Sequence, residues 1–171
     1  MALLAVGLSC SALAQAATPT PLSFPQLTHK AGFIFAGRVL AVNRPSPTAG
    51  RLPTILVTLR VERPLRGTRK GEIFALSQWA GAWDKGPQYR LGQRLLLFLY
   101  PRAKTGLTSV VGGRLGQFDL DSAGNIVLRR DQERLLLASG NPPSARARNR
   151  VPAPARLRYR DFAGQVRAAQ K

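Results

Sequence analysis

The chain has 171 residues, enough for one domain with its own core, and its 44% hydrophobic content excludes wholesale disorder. It carries 26 Lys and Arg against 8 Asp and Glu, a net charge of +18, with Arg outnumbering Lys 21 to 5. Such an excess predicts attraction to polyanions. One histidine and one cysteine exclude a Ser-His-Asp constellation that omits His29, the usual zinc sets and an internal disulfide.

Met1 to Ala16 contain no charge, Leu3 to Leu8 are apolar, and Ala14-Gln15-Ala16 fits a small-x-small cleavage rule. Residues 1–16 are therefore expected to be a signal peptide, with Ala17 as the mature terminus and an exported, periplasmic or extracellular product. An alternative is lipid anchoring through Cys10. No other stretch approaches the roughly 20 apolar residues of a membrane span.

Residues 17–21 read as a tether. Ser23 and Gln26 then form a capping box, and Leu22 can staple onto Leu27 at the start of a short helix carrying Phe24, Leu27 and Ala31 on one face. Phe33 to Val42 is an apolar strand whose Gly37 predicts a bulge or bend. Thr54 to Glu62 alternates, with Ile55, Val57, Leu59 and Val61 inward, and Pro64 and Gly67 are expected to close it. Glu72–Gln78 and Gln93–Tyr100 are the third and fourth strands, and Leu107–Val111 a weaker fifth. Residues 117–120 and 125–128 predict a hairpin around Asp121-Ser122-Ala123-Gly124. Residues 139–155, rich in Pro, Ala, Arg and Ser, read as a linker. Asp161 to Ala169 is a last helix, capped by Asp161, with Phe162, Val166 and Ala169 on one face.

These elements predict a mainly β fold: a small OB-fold-like five-stranded barrel over 22–138, with an N-terminal short helix, an extra hairpin and a C-terminal helix in 156–171 packing on or near it. The passage Leu22 to Val39, the segment Val57 to Gly67, Leu91 to Leu99, Gly112 to Phe118 and Phe162 to Arg167 together resemble a family of uncharacterised exported bacterial proteins. Those are similar in architecture to the OB-fold of netrin modules and tissue inhibitors of metalloproteinases (TIMPs). The resemblance implies fold, and a protease-inhibitor-like role as one version of function. A TIMP places an N-terminal Cys on the catalytic zinc, whereas the expected terminus here is Ala17.

Chemical motifs are few. Asp119 to Gly124 begins like a calcium loop, but Arg130 stands where a bidentate Glu is required, so a hairpin turn is expected. Glu62 and Glu72 lie at strand ends beside Arg63 and Lys70, where solvated ion pairs are commoner than acid–base pairs. No catalytic set, metal or cofactor is expected, and the chain is read as a non-enzymatic monomer. Two binding features stand out. Trp79, Trp83 and Tyr89 occupy one connection between strands and form a candidate site for a protein or envelope polymer. Arg146, Arg148, Arg150, Arg156, Arg158 and Arg160 form a candidate anion-binding arm. The leading expectation is a binding module for a partner protein or polymer; the alternative is a binder of polyanions, either single-stranded nucleic acid or acidic polysaccharide.

Overall fold

A computed structural model describes residues 22–44, 53–82, 88–140 and 154–170. The expected leader with Cys10 and Ala17, the tether, Trp83, Arg146, Arg148 and Arg150 lie outside the described residues.

The chain opens with α1 (Phe24–Lys30), where the capping box forms as expected: Ser23 Oγ accepts from the Gln26 N–H and Gln26 Oε1 accepts from the Ser23 N–H. Strands β1 (Phe33–Asn43), β2 (Thr54–Arg66), β3 (Ile73–Trp79), β4 (Arg94–Leu99), β5 (Gln117–Leu120), β6 (Ile126–Val127) and β7 (Arg156–Leu157) make one antiparallel sheet in the order β3-β2-β1-β4-β5-β6-β7. Helices α2 (Arg130–Ala138) and α3 (Tyr159–Ala168) complete the fold.

The strands bury apolar side chains on two faces, which divides the core. On one face Ile34, Ala36, Leu96, Phe98 and Phe118 pack under the helices against Phe24, Leu136 and Phe162. There the rings of Phe98, Phe118 and Phe162 meet edge-on or tilted, 5.0–6.2 Å apart. On the other face Phe35, Val39, Val57, Leu59, Phe74, Leu76, Leu95 and Leu97 form the second cluster. Burial on both faces explains why β4 reads as a continuous apolar run, whereas β2 alternates.

The expected five-stranded barrel is replaced by a seven-stranded open sheet. Leu107–Val111, expected as a strand, contributes only the bridge between Val110 and Leu99. Its backbone divides between neighbours: the Thr108 N–H donates to Ser77 of β3 at 2.9 Å, while the Ser109 carbonyl accepts from Tyr100 at 3.0 Å. A segment shared in this way builds no ladder.

Three further boundaries differ. β2 runs through Pro64 to Arg66, because β3 pairs only with Thr54 to Arg60 and Pro64 sits at a register shift opposite Phe35. Helix α2 has no start signal in the sequence: it lacks a Ser, Thr or Asp cap, and its Arg129 N–H is instead satisfied by Gln132 Oε1 at 3.1 Å. Helix α3 begins at Tyr159 after Arg158, which places Asp161 in the first turn, where its charge suits the helix dipole, rather than at the cap.

Gly37 lies at a bulge, as expected. The register shifts between Ala36 and Gly37, so that Glu62 becomes an extra residue of β2. A Cβ on Gly37 would stand 2.6 Å from the Arg60 carbonyl oxygen, so the requirement is a close approach of backbones and not an unusual φ.

Candidate binding site

β3 is an edge strand without a single charged residue. Two neighbours cover part of its outer edge. Besides Thr108 on the Ser77 carbonyl, Arg102 Nη2 donates to the Ala75 carbonyl at 2.9 Å while its guanidinium lies 4.7 Å over Phe74.

Beyond Ser77 the edge opens into a cleft of 540 Å³, walled chiefly by Gln78, Trp79, Tyr100, Pro101, Leu107 and Val110. The far wall is fixed locally. Thr108, only 6% exposed, donates its hydroxyl to the Tyr100 carbonyl at 2.6 Å, and the Ala103 N–H bonds the Leu107 carbonyl across a turn made by Gly106. On the near wall Trp79 is 51% exposed. Its indole lies directly over Gly81, where any Cβ would collide with the ring, and the Ala80 N–H is tied to the Pro53 carbonyl at 2.7 Å. The cleft therefore has an apolar lining, a preset mouth and a large aromatic held at its rim.

The three aromatics expected to act together do not share one role. Tyr89 is 5% exposed and belongs to the core, its hydroxyl accepting from Gln78 Nε2 at 3.3 Å; burial pushes its phenol well above the ordinary tyrosine range. Tyr89 thus supports the cleft residue Gln78 from beneath and is a poor surface anchor. Only Trp79 stands at the surface among the two described.

Of the expected arginine arm, Arg156 is in β7 and pairs with Asp121 at 3.7 Å, while Arg158 and Arg160 are exposed at the start of α3. Asp121 is held below the ordinary carboxylate range, chiefly by the Asn125 backbone N–H and to a lesser degree by Arg156. Several other arginines are used as internal fasteners. Arg66 Nη1 donates to the carbonyls of Thr28 and Ala31, both at 2.9 Å, and so caps the C-terminal end of α1. Arg129 donates to the carbonyls of Arg114 and Gln117, beside the fully buried Gln132, whose Nε2 also reaches Gln117 at 2.7 Å.

Glu62 and Glu72 do not face each other as an acid–base pair. Glu62 binds Arg38 and Arg94, and Glu72 accepts from the Arg69 N–H at 2.8 Å. His29 is exposed on α1. Among the described residues no group of three or more His, Cys, Asp or Glu converges, and no helix is long and apolar enough to cross a membrane.

The sequence signalled Trp79, but the cleft beside it depends on Thr108 reaching Ser77 of β3 and Val110 bridging to Leu99 of β4, contacts that no local pattern announces. Comparison of the chain with family models, with curated proteins and with solved structures gives no match.

Proposed function

We propose that this chain is a non-catalytic, exported binding module that takes an apolar segment of a partner protein into the cleft beside Trp79. One observation carries the reading: a half-exposed tryptophan, fixed over Gly81, at the rim of a 540 Å³ apolar cleft. Rigid aromatic anchors beside desolvated pockets dominate protein recognition, because little side-chain entropy is lost when they bind.

The same reading treats the order β3-β2-β1-β4-β5 as that of an OB-like barrel left open, with the cleft in the opening; OB-folds are five-stranded and partly open. A protease-inhibitor-like role is one form such a module takes.

The test installs a photo-crosslinking residue at Leu107 and maps the peptide captured in the native secreted fraction. Trp79→Ala should lower capture of that peptide at least tenfold while leaving the melting temperature unchanged, the loss typical of a truncated hot spot, ~2 kcal/mol. Equal capture by wild type and Trp79→Ala would refute the cleft as the site. The alternative, a polyanion binder, is favoured by a different set of cations.

A further inference from the structure

The sheet register brings three arginines side by side. Arg60 of β2 pairs with Arg38 of β1, and Arg38 pairs with Arg94 of β4. They come from adjacent strands, whose spacing is about 4.8 Å. Like charges directly opposite one another weaken a sheet. A fold that needed only stability would not place three guanidiniums in one row.

Among the described residues a single carboxylate pairs with them. The bulge opposite Gly37 supplies Glu62, which sits 3.4 Å from Arg38 and 2.8 Å from Arg94. Arg94 also donates to the Ser122 carbonyl at 3.4 Å. Glu62 and Ser122 thereby orient Arg94, which is 21% exposed, while Arg38 remains 51% exposed and Arg60 is exposed. Arg63 flanks the row, stacked 4.6 Å over Tyr159. Among the described residues, four guanidiniums against one carboxylate leave a local charge of +3.

We infer that the face carrying Arg38, Arg60 and Arg94 binds a linear polymer of oxyanions, and that this polymer is an acidic polysaccharide. Guanidinium forks match sulfate and carboxylate groups bidentately. The alternative of single-stranded nucleic acid would require open aromatic faces on which bases stack. Among the described residues the row has none: Tyr159 is already covered by Arg63, and the residue paired with Arg60 on β3 is Ile73. The site is separate from the Trp79 cleft and stands or falls independently of it.

The experiment measures heparin binding across a salt series for wild type, the double variant Arg38→Gln/Arg60→Gln, and the charge-matched control Arg130→Gln/Arg134→Gln, which removes two exposed cations of α2. The row variant should bind heparin about tenfold more weakly, with a salt slope reduced by more than one unit, because each lost contact no longer releases a counterion. The control should stay within about twofold. The melting temperature of the row variant should not fall, since cross-strand repulsion is relieved; a purely structural row would show the reverse. Equal losses in both double variants would overturn the inference in favour of diffuse charge. A dT oligomer binding more tightly than heparin, and weakened by Arg38→Gln/Arg60→Gln, would overturn it in favour of a nucleic-acid surface.

Discussion

Replacing Gly37 by Ala tests whether the glycine opposite the β2 bulge is demanded by backbone proximity. The new Cβ would lie 2.6 Å from the Arg60 carbonyl oxygen and 3.3 Å from Phe35 Cε2, and neither neighbour is free to yield. Arg60 is held between β1 and β3, and Phe35 is fully buried in the second core. Relief must come from separating β1 and β2 at the bulge. Overpacking of this kind costs about 2 kcal/mol, and Val should cost more than Ala because its methyls meet the same wall. For a chain of this size that is a fall of ~5 °C in melting temperature. Thermal and urea unfolding followed by circular dichroism measure it, with an unchanged urea m-value expected if the denatured state is unaffected. A Gly37→Ala protein melting within a degree of wild type would show that the backbones can part freely, and the close-approach argument would be wrong.

Other substitutions probe features at a distance from the bulge. Gly164, exposed in α3 with no atom within 4 Å of an added Cβ, should gain up to ~1 kcal/mol on replacement by Ala, seen as a higher unfolding midpoint. Arg66→Met should destabilise by about 2 kcal/mol, since the carbonyls of Thr28 and Ala31 lose a charged donor, and hydrogen exchange in α1 should rise before that of the sheet. Gln132→Leu should cost ~2 kcal/mol by leaving the Arg129 N–H without its partner and the Gln117 carbonyl with Arg129 as its remaining side-chain donor, read by denaturant unfolding. The depressed acidity of Asp121 gives a sign for pH: its contribution is present above the ordinary carboxylate pKa and lost as pH falls through the lower folded value. Asp121→Ala should therefore flatten the acid limb of the stability curve and leave its alkaline limb unchanged.

Local chemistry was legible in the sequence wherever the deciding contacts are close in the chain. The Ser23–Gln26 box, the alternation of Ile55 to Val61 and the turn at Asp121 to Gly124 each depend on residues within one element or one hairpin. The extent of the sheet was not legible. β7 joins β6 only after the chain returns at Ala155, whose carbonyl accepts from the Leu128 N–H. Helix α2 was hidden because its cap comes from a residue inside the helix. At the site, Trp79 was marked by its type, but the difference between Trp79 and Tyr89 lies in burial against Gln78. The arginine row is a matter of register alone: Arg38, Arg60 and Arg94 become neighbours only when three strands align.

The burial of β4 on both faces has a consequence for how the chain reaches its native state. Leu95 to Leu99 are fully buried, an uncharged five-residue stretch of the kind that self-associates when exposed. Its chief partner, β1, lies upstream beyond β2 and β3, so the stretch becomes protected only after a long loop has closed. During that interval the flanking residues act as gatekeepers. Arg90 and Arg94 precede the stretch, and Pro101 and Arg102 follow it, placing charge and a missing N–H at both borders. Once folded, Arg94 turns to Glu62 and Arg102 covers β3, so the cations that guard the nascent strand become fixtures of the finished sheet. Removing Arg94 and Arg102 together should therefore lower the yield of soluble refolding far more than the equilibrium stability, because the loss falls on the unpaired strand before β1 reaches it.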